Sequence, residues 1–179
     1  MNLNFKKARD LMVKNQLLPN KINDQVILDL FQNTKKENFL IEDLRGISYS
    51  DKEIYLEASR GYLNNLQIAQ LIHKADLKDH HKVLHIGGMT GYVSVMLSKL
   101  SKELIVIENH NNLLCQLKEN ISNLDINNIK IVDSSFHDGY DKESPYDIIF
   151  IDNPIKKLSS SVKDQLSSDS GKIIMIKKI

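Results

Sequence analysis

The chain has one cysteine, Cys115, no tryptophan and only three prolines among 179 residues. A single cysteine excludes an internal disulfide framework and any zinc site built from several thiolates. No run of about 18 apolar residues occurs, so no transmembrane helix is expected. The opening stretch, Met1 to Lys7, lacks the apolar core of a signal peptide, so a cytoplasmic location is expected. An excess of charge of either sign is also missing. Lys and Arg number 24 against 23 Asp and Glu, a net charge of +1. That balance gives no electrostatic reason to expect nucleic acid or a membrane surface as a partner. Six histidines are present, but His80 and His81 are adjacent, and His73, His85, His110 and His137 share no ligand spacing. No metal site is expected.

What is present suits a packed core. Hydrophobic residues make up 41% and charged residues 26%, the balance of a folded domain rather than a disordered chain. One domain is expected over residues 1–179, with a helical region at 1–80 and a sheet at 81–179.

The apolar period changes at about residue 82. Before it the pattern is mostly helical. Ala8, Leu11, Met12 and Asn15 share a face, and Asn23-Asp24 reads as a cap before Val26, Ile27, Leu30 and Phe31. Leu66, Ala69, Ile72 and Ala75 form another stripe. Beyond residue 82, short apolar runs alternate with amphipathic helices. The runs are Val83–Ile86, Leu104–Ile107, Ile129–Val132, Asp147–Asp152 and Lys172–Ile176. Continuous apolar strands separated by helices indicate an α/β fold with a parallel sheet covered on both faces, ordered 3-2-1-4-5. Cys115, beside Leu114 on the second of these helices, is expected to be a small buried thiol.

In such a sheet the ligand lies beyond the carboxyl ends of the strands. The first strand runs into Gly87-Gly88-Met89-Thr90-Gly91-Tyr92, where glycines let backbone N–H groups approach a ligand and open a helix. Glu108 ends the second strand, where a carboxylate can accept from ribose hydroxyls. Together these features predict a nucleoside site.

Further residues carry a more specific resemblance. Ala8-Arg9, Met12-Val13, Gln16-Leu17, Pro19-Asn20, Ile22, Asp24, Val26, Phe31, Glu37, Phe39-Leu40, Glu42, Leu44-Arg45, Tyr49 and Asp51 form one colinear run. Val83-Leu84, Gly87, Gly91-Tyr92, Glu108, Gly139-Tyr140, Tyr146–Ile149 and Gln165-Leu166 continue it. The chain thus resembles the protein-L-isoaspartate O-methyltransferase family in its proteobacterial form. The resemblance implies a Rossmann-like class I methyltransferase fold under an N-terminal helical cap, with S-adenosylmethionine as cofactor. It implies methyl transfer to isoaspartyl carboxylates of damaged proteins or peptides. It assigns His85, Gly87, Gly88, Met89, Gly91, Tyr92, Glu108 and Ser135 to the cofactor. Arg60, Gly61, Leu63 and Asn64 fall in the substrate-side loop, and no catalytic acid or base is assigned.

Four features depart from the family pattern. His85 stands where the family has an acid that helps hold the cofactor's amino end. Met89 replaces the central glycine of Gly-x-Gly-x-Gly. Ser134-Ser135-Phe136 replaces Gly-Asp-Gly, whose Asp reaches the adenine amino group, and Asp133 lies just upstream. The family also continues beyond the fifth strand, which here is expected to be an open edge available to a second copy. These departures leave two readings open: a shortened but active methyltransferase, of this or another substrate, and a non-catalytic relative.

Overall fold

The computed structural model describes residues 4–57, 59–155 and 157–177. They form two compact units, Met1–Lys74 and Ala75–Ile179. No helix among the described residues is long and apolar enough to cross a membrane.

The first unit carries α1 Phe5–Met12, α2 Gln25–Asn33 and α3 Glu42–Arg45. It continues with β1 Ile54–Glu57, β2 Arg60–Tyr62 and α4 Asn65–Ala75, whose last residue opens the second unit. Asn4 caps α1 by accepting from Lys7 N. Asp24 caps α2 by accepting from Val26 N and Ile27 N, as the sequence suggested. Within α2 the stripe is shifted: Ile27, Leu30 and Phe31 are buried but Val26 is exposed. A buried polar cluster joins distant segments. Arg9 pairs with Glu37 at 2.6 Å and donates to the Gln32 carbonyl, and the Tyr49 hydroxyl donates to Glu37. Burial pushes the Tyr49 hydroxyl well above its ordinary range.

The helical reading of this region missed a hairpin. β1 and β2 pair antiparallel, with Tyr55 opposite Gly61. A side chain at Gly61 would run into the Ile54 carbonyl, so the close pairing requires glycine. Ser59, in the turn, takes a left-handed φ of 58°.

The second unit holds β3 Lys82–Ile86, α5 Tyr92–Ser98, β4 Glu103–Ile107, α6 Asn111–Ser122 and β5 Ile129–Val132. β6 Ile148–Ile155, α7 Ser160–Asp164 and β7 Lys172–Lys177 complete it. The sheet order is β5-β4-β3-β6-β7 and every pairing in it is parallel. This is the expected 3-2-1-4-5 order of a Rossmann-like α/β fold. The central strands are buried on both faces, which is why they read as unbroken Val, Ile and Leu. One face packs Leu84, Ile86, Ile105, Ile107, Ile149 and Ile151 with Leu158 and Val162 near α7. Each such side chain contributes about 1.5–3 kcal/mol by leaving water. All seven residues of α5 are buried. In α6, Leu113, Leu114, Leu117 and Ile121 face inward, but Cys115 is exposed. The expectation of a buried thiol is corrected: one residue past Leu114, the helical turn of about 100° carries Cys115 off the apolar stripe.

Candidate cofactor site

The sequence-predicted residues of the second unit lie at the carboxyl ends of β3, β4 and β5, which are neighbours in the sheet. The Gly87 and Gly88 N–H groups donate to the Ile107 carbonyl, which folds the loop after β3 across the end of β4. Gly87 and Gly91 adopt φ of 88° and 101°, in the region that favours glycine. Gly88 needs its glycine for a different reason: a Cβ there would collide with Val106. Met89 also has positive φ, 50°, and its side chain is completely buried. The loop therefore follows a left-handed path at this position even though the residue is methionine. Tyr92 is buried at the start of α5.

Glu108 is completely buried. Its carboxylate accepts from Met89 N at 2.8 Å and from Asn109 N and His110 N, both at 3.0 Å. It therefore ties the glycine loop to the start of α6. Ser135, in the loop after β5, is half-buried and its hydroxyl accepts from His137 N. Asp133, the residue nearest a carboxylate substitute for Ser135, is exposed. Gln165 holds this loop in place. Its side chain accepts from Tyr140 N at 2.8 Å and donates to the Asp138 carbonyl at 2.6 Å. Gly139, with φ 67°, leaves the space that the Gln165 amide fills.

His85 is wholly buried and held on both ring nitrogens. Nδ1 lies 3.0 Å from Ser94 Oγ and Nε2 lies 3.3 Å from Asp152 Oδ1. Beside the strand ends is a mostly apolar cavity of about 200 Å³, lined by Ile86, Phe136, Ile151, Asn153, Ile155 and Leu158. The Asn153 Nδ2 atom is buried and has no hydrogen-bond partner among the described residues. A buried amide left unpaired costs stability unless a partner meets it.

The four substrate-side candidates lie in the first unit and do not form an open loop. Gly61 is within β2, and Leu63 is buried at 3% exposure. Asn64 and Gln67 make a reciprocal cap at the start of α4: Asn64 Oδ1 accepts from Gln67 N, and Gln67 Oε1 accepts from Asn64 N. Leu63 thus packs in the core and Asn64 caps α4. Arg60 remains, half-buried on β2.

The model of one family, protein-L-isoaspartate(D-aspartate) O-methyltransferase, matches residues 7–177. The chain belongs to this family. Among curated relatives, a protein-L-isoaspartate O-methyltransferase of Syntrophobacter fumaroxidans is 27% identical over 175 residues, covering 97% of this chain and 80% of the relative. One of Herpetosiphon aurantiacus is 29% identical over 170 residues, covering 95% and 75%. Two solved structures share the fold. A protein-L-isoaspartate O-methyltransferase superposes with a TM-score of 0.78 at 22% identity, over 95% of this chain and 54% of that one. A Plasmodium falciparum protein assigned to the same activity, solved with S-adenosyl-L-homocysteine, gives 0.78 at 20% identity over 99% and 86%.

Within this isoaspartyl methyltransferase frame, sequence reasoning passed over Asp152 and Asn153. Their signal was available. Ile151-Asp152-Asn153-Pro154 places a charged and an amide side chain at the end of an otherwise apolar run. In a parallel sheet that is the end facing the ligand.

Proposed function

We propose that the chain is an S-adenosylmethionine-dependent methyltransferase acting on isoaspartyl carboxylates of damaged proteins. The observation that carries this reading is the convergence of three features at the carboxyl ends of adjacent strands. These are the glycine loop after β3, the buried Glu108 after β4, and the cavity lined by Asn153 of β6, a residue whose buried Nδ2 has no partner among the described residues. The residues present fit the cofactor. Glu108 can accept a ribose hydroxyl, since a carboxylate offers about four acceptor sites and a ligand hydroxyl can replace one backbone donor. The apolar cavity suits a flat heteroaromatic ring, and an Asn amide can pair with the donor and acceptor on an adenine edge. His85, Gly87, Gly88, Met89, Gly91, Tyr92 and Ser135 would shape this site around those contacts.

When bound, S-adenosylmethionine supplies an electrophilic methyl group on a sulfonium. The protein's part is binding and alignment. The isoaspartyl carboxylate is already ionised near neutral pH, so no general base has to remove a proton. Holding its oxygen close to the methyl can supply much of the rate. The lack of an assigned acid or base is therefore compatible with activity. Arg60 is the residue proposed to meet the substrate carboxylate, a role to which a guanidinium is suited. Neither the site nor the relatives give a specific reason to prefer a non-catalytic protein. A location in the cytoplasm and pairing of two copies along the outer edge of β7 are further parts of this reading. Light scattering tests the latter.

Isothermal titration tests the reading itself. S-adenosylmethionine and S-adenosylhomocysteine should bind with micromolar or tighter affinity. Absence of heat at millimolar ligand would refute it.

A further inference from the structure

His85, Ser94 and Asp152 form a buried polar relay that the reading above leaves unused. His85 is on β3, Ser94 on α5 and Asp152 on β6, and none is more than 1% exposed. A carboxylate accepts, so the His85 Nε2 donates to Asp152 and Nδ1 faces the Ser94 hydroxyl. The order of groups is that of a nucleophilic triad, but Ser94 is inside a helix whose residues are all buried.

The relay points the other way, toward Asp152. Among the described residues, His85 is the one hydrogen-bonding partner of that carboxylate, and it engages only Oδ1. Oδ2 therefore keeps acceptor capacity for a donor or cation. Asp152 lies near the carboxyl end of β6, next to β3 and its glycine loop. Glu108 ends β4, on the other side of β3. A ligand whose ribose meets Glu108 and whose chain crosses the glycine loop brings its far end to Asp152.

We propose that Asp152 is the carboxylate that receives the ammonium group of the cofactor's methionyl end, with His85 and Ser94 as positioning residues that fix its orientation. This rests on the cofactor reading above. The ligand class is a nucleoside thioether or sulfonium carrying a free α-amino group.

Two probes separate this proposal from its foundation. S-adenosylhomocysteine carries the amino acid end, whereas 5′-methylthioadenosine keeps the nucleoside and sulfur but lacks it. By calorimetry, Asp152→Asn should weaken S-adenosylhomocysteine about tenfold or more while leaving methylthioadenosine within about twofold of the wild type. Unchanged methylthioadenosine binding also reports that the variant is folded. Equal losses for both ligands, or no loss for S-adenosylhomocysteine, would overturn the proposal. Ser94→Ala provides a second, milder variant should Asp152→Asn fail to fold. It removes only the hydroxyl behind His85 and should lower the ratio of the two affinities about threefold in the same direction. An unchanged ratio there would refute the positioning role. If the wild type binds neither probe, the cofactor reading itself falls and the proposal with it.

Discussion

Glu108 joins two jobs in one side chain. It caps backbone N–H groups of the glycine loop and of the start of α6, and it offers acceptors where a ribose is expected. Glu108→Gln turns one acceptor into a donor facing an N–H. We expect it to cost about 1–3 kcal/mol of stability in thermal denaturation. It should also weaken S-adenosylhomocysteine and methylthioadenosine alike, because both carry the ribose. A loss confined to one of them would contradict the assignment. Lys36 offers an independent check in the first unit. It is wholly buried, with Nζ 3.0 Å from Asn65 Oδ1, and burial lowers its pKa from its ordinary value to about 7. In the unfolded chain it holds its proton up to about pH 10. Between about pH 7 and 10 the unfolded state therefore binds more protons, and stability rises with pH from this group. Lys36→Met should remove that rise in urea melts across the range; an unaltered slope would show that Lys36 stays charged in the fold. Residues such as these were legible in the sequence only in part. Glu108 announced itself by its place at a strand end. The partnership of His85 with Asp152 did not, because it joins positions 67 residues apart that only the strand order brings together. His85 thereby meets a carboxylate on the neighbouring strand.

Among the elements, the strands of the second unit were readable because burial on both faces leaves unbroken apolar runs. The hairpin of the first unit was not. β1 and β2 are short and partly exposed, with Glu57 and Arg60 paired across the turn, so no apolar run or clean alternation marks them. The need for glycine at position 61 arises from a neighbouring strand, which local periodicity cannot register. Gly61→Ala should destabilise the protein by about 2–3 kcal/mol, because the opposing Ile54 carbonyl belongs to a paired backbone and cannot retreat. Differential scanning fluorimetry would show this as a clear drop in Tm, and an unchanged Tm would contradict the pairing. The loop after β5 depends on a side chain from just beyond α7. Gln165→Leu should leave the Tyr140 N–H and the Asp138 carbonyl without their partner and raise hydrogen exchange across residues 134–140. Unaltered exchange would mean that the Ser159 and Ser161 hydroxyls, which donate to the His137 and Asp138 carbonyls, hold the loop alone.

For the molecule as a whole, the near-neutral charge matches a site that works by shape and a few buried carboxylates rather than by a broad electrostatic field. The family match extends over residues 7–177, so His85, Met89 and Ser135 all stand inside the matched span. Met89 has a left-handed backbone, and Asp152 puts a carboxylate against His85. The central claim is that this framework transfers a methyl group to an isoaspartyl carboxylate. It is tested most directly by incubating the protein with methyl-labelled S-adenosylmethionine and either an isoaspartyl peptide or its normal aspartyl isomer. The account predicts base-labile label on the isoaspartyl peptide and none above background on the aspartyl one. Equal labelling of the two, or none on either at saturating cofactor, would contradict it.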